Sequence, residues 1–340
     1  MIRMKAGLIG YGYWGPNVAR VISESKNVEL KYCADLMDEP LKLIKNKYPQ
    51  VLTTKNYNDI LKDKEVEVVF IVTPPTTHFK IAKDAILAGK HVFIEKPLTT
   101  DVKKAKLLVN LAKKHRVKLA VGHVFLFNPV VKFIKKSLEK GTIGKLRHLH
   151  FQRRSLGPSI RGDVNVLWDL APHDISMLLY FVNSKINSVI ATGQSFLLKD
   201  IEDVVSASIK FKNGVIANMI FSWIDPVKIR DITIVGDKKM LLFDDVSEQK
   251  IKVFDKNANL IKSAIGGVSF SRYKIALHSG RISNPKIQSI EPLKEEIECF
   301  ISAIKNNSEV INNGENGVAV VEVVEAMQKS LSNNSKVIYF

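Results

Sequence analysis

At 340 residues the chain is too long for one ordinary core and suits two domains of roughly 150 residues each. Hydrophobic residues at 46% and charged residues at 25% give the balance of a globular protein, and no window approaches the ~20 uninterrupted apolar residues of a membrane span. The 51 Lys and Arg against 34 Asp and Glu, a net +17, favour anionic partners, but pairs such as Lys113-Lys114, Lys135-Lys136 and Lys238-Lys239 are scattered along the chain, which argues against nucleic acid.

Met1 leads directly into a strand-like segment, residues 6–9, with no apolar leader ending in small residues, so a cytoplasmic setting is expected. Short β-branched runs then alternate with helical patterns, with strands expected at 6–9, 28–34, 51–53, 66–72, 91–94 and 117–121. That alternation is the plan of a doubly wound parallel sheet of the dinucleotide-binding, Rossmann type. Ile81, Ala85 and Ala88 carry the helical spacing of one connection, and Gly89 is placed to end it. After Gly122 the texture changes. A helix near 129–140 is followed by longer alternating strands at 146–154, 186–195, 204–211, 215–223, 229–235 and 240–243, with Asn213-Gly214 as a hairpin turn and a helix at 168–181 between them. This predicts an α+β domain with an open, mostly antiparallel sheet. Residues 256–292 are poorly periodic, and helices at 293–306 and 317–332 close the chain. The expected division is 1–122 and 123–340. Cys33 in a predicted strand and Cys299 in a predicted helix support neither a disulfide framework nor a thiolate site, and no metal is expected.

Gly10-Tyr11-Gly12-Tyr13-Trp14-Gly15 stands directly after the first strand and before a helix with Val18, Val21 and Ile22 on its apolar face. Here Gly10 permits a tight turn, Gly12 lets a pyrophosphate approach the backbone, and Gly15 lets helix pack on strand, with phosphates at the helix N-terminus. A bare GxGxxG says little; its strand-loop-helix context, with Pro16 in the first helical turn, makes this a cofactor loop, Tyr13 and Trp14 included. Asp35 ends the second strand twenty residues after Gly15, where an acid binds ribose hydroxyls and repels a 2′-phosphate, so NAD is favoured over NADP. Lys31 nearby works in the opposite sense, and an Asp is also a common residue at a strand end.

Thr73-Pro74-Pro75-Thr76-Thr77-His78 follows the fourth strand at the edge where open α/β sheets bind ligands. Two readings stand side by side: a cofactor loop involving Thr73, Pro74 and His78, or a strand end and helix cap. Glu95-Lys96-Pro97 ends the fifth strand at the same edge, where the Lys96 ammonium can hydrogen-bond a reacting hydroxyl and stabilise developing negative charge. In Trp168-Asp169-Leu170-Ala171-Pro172-His173-Asp174, Asp169 and His173 are four apart and share a helix face. A carboxylate orienting an imidazole makes a proton acceptor for an alcohol, although taken alone such a pair is also an ordinary surface pair or helix cap.

Together these motifs resemble the glucose-fructose oxidoreductase, inositol dehydrogenase and rhizopine catabolism (Gfo/Idh/MocA) family over nearly the whole chain. The resemblance rests on Gly10 to Gly15, Thr73-Pro74 with His78, Glu95-Lys96-Pro97 and the Asp169 to His173 pair. It implies NAD- or NADP-dependent oxidation or reduction of sugars and cyclitols, with Lys96 and His173 as the catalytic pair and Glu95 with Lys96 among the cofactor-contacting residues. It further implies that the second domain binds substrate and that its open sheet forms a homo-oligomer interface, as a dimer or tetramer. Within the family, residues 12–17, 165–174 and 314–317 look like the nucleotide-sugar 3-dehydrogenases, which oxidise C3 of UDP-N-acetylglucosamine or of its uronic acid toward 3-amino sugars for surface polysaccharide or lipid A. On that pattern His173, oriented by Asp169 and assisted by Lys96, takes the 3-hydroxyl proton. Lys96, His123, Asn128, Asn165 and His173 then line the sugar site, and Arg154 or Arg161 is the candidate for a uronate. Three other functions are weighed against this one: a dehydrogenase of a free sugar or inositol, a glycosidase acting by transient oxidation at C3, and a non-catalytic NAD-binding regulator. The joint presence of Lys96, Asp169 and His173 argues against the regulator.

Overall fold

Short runs of Val, Ile and Phe build the first sheet of the computed structural model, which describes residues 3–157, 162–262 and 273–340. Its elements alternate as expected: β1 (Met4–Ile9), α1 (Gly15–Glu24), β2 (Val28–Ala34), α2 (Asp38–Lys47), β3 (Leu52–Thr54), α3 (Tyr57–Lys62), β4 (Val66–Ile71), α4 (Pro75–Leu87), β5 (His91–Ile94), α5 (Val102–His115) and β6 (Leu119–Val121). Every pairing is parallel, in the order β3-β2-β1-β4-β5-β6. Both faces of such a sheet are covered, which is why β4 reads as a near-continuous apolar run, with Val66, Val68, Val69, Phe70 and Ile71 all buried. The order reverses between β1 and β4, and ligands of open α/β sheets bind at such a switch point.

A short 3-10 turn (Val124–Phe127) leads into α6 (Pro129–Glu139), β7 (Leu146–Leu156), α7 (Val166–Phe181), β8 (Ile186–Gln194), β9 (Val204–Phe211), β10 (Ile216–Ser222), β11 (Ile224–Gly236), β12 (Met240–Asp244), β13 (Ile251–Lys262), β14 (Tyr273–Ser283), α8 (Pro292–Asn306), α9 (Gly314–Ser332) and β15 (Ile338–Tyr339). The second sheet has nine strands in the order β14-β13-β12-β11-β7-β10-β9-β8-β15, antiparallel throughout except for β7 beside β10. On β9, buried Val205, Ala207, Ile209 and Phe211 alternate with partly exposed Ser206 and Ser208, leaving one face open. The β9-β10 hairpin turns at Asn213-Gly214, where Gly214 takes φ +85°, as the sequence predicts. Strands β13 and β14 fall largely within the poorly periodic stretch 256–292, part of which, 263–272, lies outside the described residues. Ile275 and Leu277 of β14 are exposed at 65% and 79%, so no burial imposes an alternation there. Among the described residues no helix is long and apolar enough to cross a membrane.

The compact units do not follow one cut in the sequence. Met1–Asn128, Ala171–Met177 and Ile290–Ala326 form one unit, and Pro129–Leu170, Leu178–Ser289 and Met327–Phe340 the other. The cause is α8. Its Leu293, Ile297, Phe300 and Ile301 recur at helical spacing and join the core around Leu8, Val18, Phe70 and Phe93. The Phe300 ring lies 6.5 Å from Phe70 and 5.7 Å from Phe93, contacts that add about 0.5–1.5 kcal/mol per pair beyond area burial.

Candidate active site

In the first unit the candidate residues collect at the carboxyl edge of the parallel sheet. Gly10 follows β1 with φ +96°, and a β-carbon there would lie 2.5 Å from the Val72 carbonyl oxygen. A β-carbon on Gly15 would lie 2.8 Å from the Gly10 carbonyl oxygen, so both positions exclude a side chain, whereas one on Gly12 would meet nothing within 4 Å. Helix α1 starts with Pro16 in its first turn and with neither a side-chain cap nor an acid, so its N-terminal dipole and N–H groups suit a pyrophosphate. Asp35, just after β2, accepts from the Tyr11 N–H at 2.8 Å and the Met37 N–H at 3.0 Å. Each oxygen keeps a second lone pair for a ribose hydroxyl. Tyr13 is 95% exposed, while Trp14 packs on the core. Loop, helix end and acid together fit a dinucleotide.

Helix α4 begins at Pro75, so the loop after β4 is only Val72 to Pro74, and Thr73 Oγ1 accepts from Thr77 Oγ1 at 2.7 Å. His78 is fully buried, with its ring nitrogens 2.8 Å from the carbonyl oxygens of Pro97 and Thr73. A neutral ring donates to one of the two, and through these contacts His78 ties together the loops after β4 and β5.

Lys96 and Glu95 follow β5, and His123 follows β6, its neighbour in the sheet. Both His123 ring nitrogens are buried without a hydrogen-bond partner. Burial, and then the Lys96 charge, push this imidazole down to about 3, which favours its neutral form. Burial pushes the Glu95 carboxyl up to about 7 against the opposing pull of the Lys96 charge, the Lys96 backbone N–H and the Trp14 indole N–H. Two residues beyond His123, the Phe125 ring meets His173 edge-on at 5.2 Å.

Helix α7 carries Asp169 and His173. Between Val166 and Leu178 the residues that are not buried are Asp169, Leu170 and His173, so the polar pair shares one accessible stripe. Pro172, inside the helix, has no N–H to donate to the Trp168 carbonyl. Asp169 Oδ2 accepts from Trp223 Nε1 at 3.2 Å, which fixes the carboxylate. Asn165 is the N-cap of α7: its Oδ1 accepts from the Trp168 N–H at 3.2 Å, and its Nδ2 donates to Glu202 at 2.6 Å and Gln328 at 2.8 Å. These bonds give it a capping role besides its expected place in the sugar site. Arg154 has partners of its own. It lies on the strand face of β7 opposite buried Phe151 and Arg153, paired with Asp225 at 2.8 Å and donating to Gln152 at 2.7 Å. Asn128 ends the 3-10 turn through its backbone N–H, and Arg161 lies outside the described residues. Among the described residues no group of three or more His, Cys, Asp or Glu is placed to hold a metal ion.

Four residues at these positions were not singled out from the sequence. Phe125 and Trp223 carry no local signal, since each acts through a residue distant in the chain. Glu296 is legible in retrospect as an acid on the apolar stripe of Leu293, Ile297 and Phe300, and Asn312 supports it through a 2.9 Å hydrogen bond.

Residues 4–123 match the oxidoreductase family with an NAD-binding Rossmann fold, and residues 131–242 match the GFO/IDH/MocA C-terminal domain. The chain belongs to the GFO/IDH/MocA family. Relatives in the family include the UDP-N-acetylglucosamine 3-dehydrogenase of Acidithiobacillus ferrooxidans, 27% identical over 94% of this chain and 95% of the relative. Another is the myo-inositol 2-dehydrogenase of Thermotoga maritima, 25% identical over 98% of both. A solved structure of the Acidithiobacillus enzyme shares the fold with a TM-score of 0.83, covering 99% of this chain and all (100%) of that one at 24% identity.

Proposed function

We propose that this oxidoreductase is an NAD-dependent dehydrogenase that oxidises the C3 hydroxyl of UDP-N-acetylglucosamine or of its uronic acid. The observation that carries the reading is the stripe of α7 where Asp169 and His173 stand one turn apart, on a segment from Val166 to Leu178 in which every other residue except Leu170 is buried. His173 takes the hydroxyl proton, Asp169 orients the imidazole while Trp223 holds the carboxylate, and the Lys96 ammonium stabilises the developing alkoxide. Bound NAD supplies the hydride acceptor. Gly10, Gly12, Gly15, Trp14, Asp35, Thr73 and Pro74 would hold it, with Asp35 disfavouring the extra phosphate of NADP. His123 offers the sugar a neutral donor and acceptor.

The net +17 suits a nucleotide diphosphate, and the Acidithiobacillus relative, matched over 94% of the chain, acts on such a sugar. The inositol dehydrogenase, matched over 98%, keeps a cyclitol as the second reading. A homo-oligomer places a second copy over the open sheet face, where His150, Gln152, Ser206, Ser208 and Asn218 line a groove of about 620 Å³. The test is NADH absorbance on mixing protein and NAD with UDP-N-acetylglucosamine, its uronic acid or myo-inositol, beside His173→Ala and Lys96→Ala. Signal with a UDP-sugar that both variants abolish supports the proposal. Signal with inositol alone, or none despite NAD binding, refutes it.

A further inference from the structure

Two carboxyl groups in the first unit flank the same three residues, Val121 to His123. The Glu95 carboxyl packs on Gly122 so closely that a β-carbon there would lie 2.9 Å from its carbon and from both its oxygens. From α8, fully buried Glu296 accepts through Oε1 from Asn312 Nδ2 at 2.9 Å, and the same amide donates to the Val121 carbonyl at 2.7 Å. Glu296 Oε2 and Asn312 Oδ1 are buried and have no partner. Packing does not account for an acid here. The position lies on the apolar stripe of α8, and a buried carboxyl with an unpaired oxygen costs stability that Leu or Met would not. Costly buried acids next to a reactive group are a mark of function.

We infer that Glu95 and Glu296 form a coupled carboxyl pair carrying one negative charge, with Glu296 holding the proton and Glu95 serving as the internal counter-ion of Lys96. The groups facing Glu95 are Lys96, on its own segment, the Trp14 indole from the glycine loop, and Glu296 from α8; those facing Glu296 are Glu95, the Asn312 amide and the His123 backbone N–H. Burial first, and then the Glu95 charge, hold Glu296 well above the usual carboxylate range, so the second ionisation is suppressed and the cluster presents Lys96 with a single carboxylate. Glu95 and Glu296 are thus positioning residues. They offer the Lys96 ammonium one buried counter-charge, with the Lys96 backbone N–H donating to Glu95 Oε2 at 3.2 Å, and this assigns Glu95 an internal role in place of the expected contact with the cofactor. The consequence for catalysis rests on the role of Lys96 proposed above.

Two measurements on the free protein test the pair without turnover. Infrared spectroscopy at pH 8 is expected to show one protonated carboxyl in the wild type that disappears in Glu296→Gln and persists in Glu95→Gln; a second appears in the wild type as the pH falls through about 7. A wild type with no protonated carboxyl at pH 8 overturns the inference, whatever the variants do. Acetylation of Lys96, followed at peptide level at pH 8, is expected to be about tenfold faster in Glu95→Gln, because loss of a nearby negative charge favours the reactive free amine, and wild-type in Glu296→Gln, whose amide mimics the protonated acid. Unchanged labelling in Glu95→Gln overturns the link to Lys96, and faster labelling in Glu296→Gln overturns the placement of the proton. Failure to oxidise any sugar, with both results as expected, would remove the proposed reaction and leave the pair intact.

Discussion

Asn165→Ala separates a helix cap from a substrate contact. Asn165 satisfies the Trp168 N–H at the start of α7 and holds Glu202 and Gln328 with its amide. Losing the cap costs about 1 kcal/mol. Both amide partners are partly exposed and can turn to water, so their loss adds about 1 kcal/mol rather than the full penalty of a buried orphan. A total of about 2 kcal/mol lowers the melting temperature by about 4–8 °C for a unit of this size. Asp169 sits in the first turn of α7, so fraying there also loosens the carboxylate, and kcat is expected to fall with KM little changed. Asn165→Ser, which restores a capping oxygen but not the amide, should recover roughly half the stability. Calorimetry and steady-state NADH rates on the three proteins decide the matter. A raised KM with an unaltered melting temperature would refute the cap and leave Asn165 to the sugar site alone.

Gly10→Ala places a β-carbon 2.5 Å from a carbonyl oxygen at φ +96° and should cost more than the ~1–2 kcal/mol of left-handed strain alone, with NAD affinity lost; denaturation and NAD titration measure both. Asp35→Asn should raise the NADP to NAD ratio of kcat/KM by removing the charge that repels a 2′-phosphate; its single amide oxygen keeps one of the two hydrogen bonds from the Tyr11 and Met37 N–H groups, and the NH2 cannot accept the other. Glu296 titrates above its ordinary value of 4.5 in the folded protein, so its contribution is fully present below pH 4.5 and is lost as the pH rises toward the folded value. Glu296→Gln should therefore melt progressively higher than the wild type as the pH is raised above 4.5; a constant offset would contradict a protonated Glu296.

The parallel sheet was legible because burial on both faces forces continuous apolar strands, and Gly10, Gly15 and Gly214 were legible because backbone geometry admits little else. What escaped was tertiary. The apolar stripe of α8 predicts a helix but not that Phe300 packs against Phe70 and Phe93, so the division at residue 122 missed the return of 290–326 to the first unit. Residue type alone marked Asn165, Arg154 and His78 as ligand groups, and it gave no sign of the partners that distant parts of the chain bring to each. That Asp169 and His173 lie one turn apart was legible because it depends only on the helix that carries both.

The central claim is tested most directly with UDP-N-acetylglucosamine deuterated at C3, or its uronic acid so labelled, incubated with the protein and NAD. The account predicts that the deuterium appears on the reduced nicotinamide and that turnover slows by a primary isotope effect. Reduced cofactor without deuterium, with the label retained in the sugar, would contradict it.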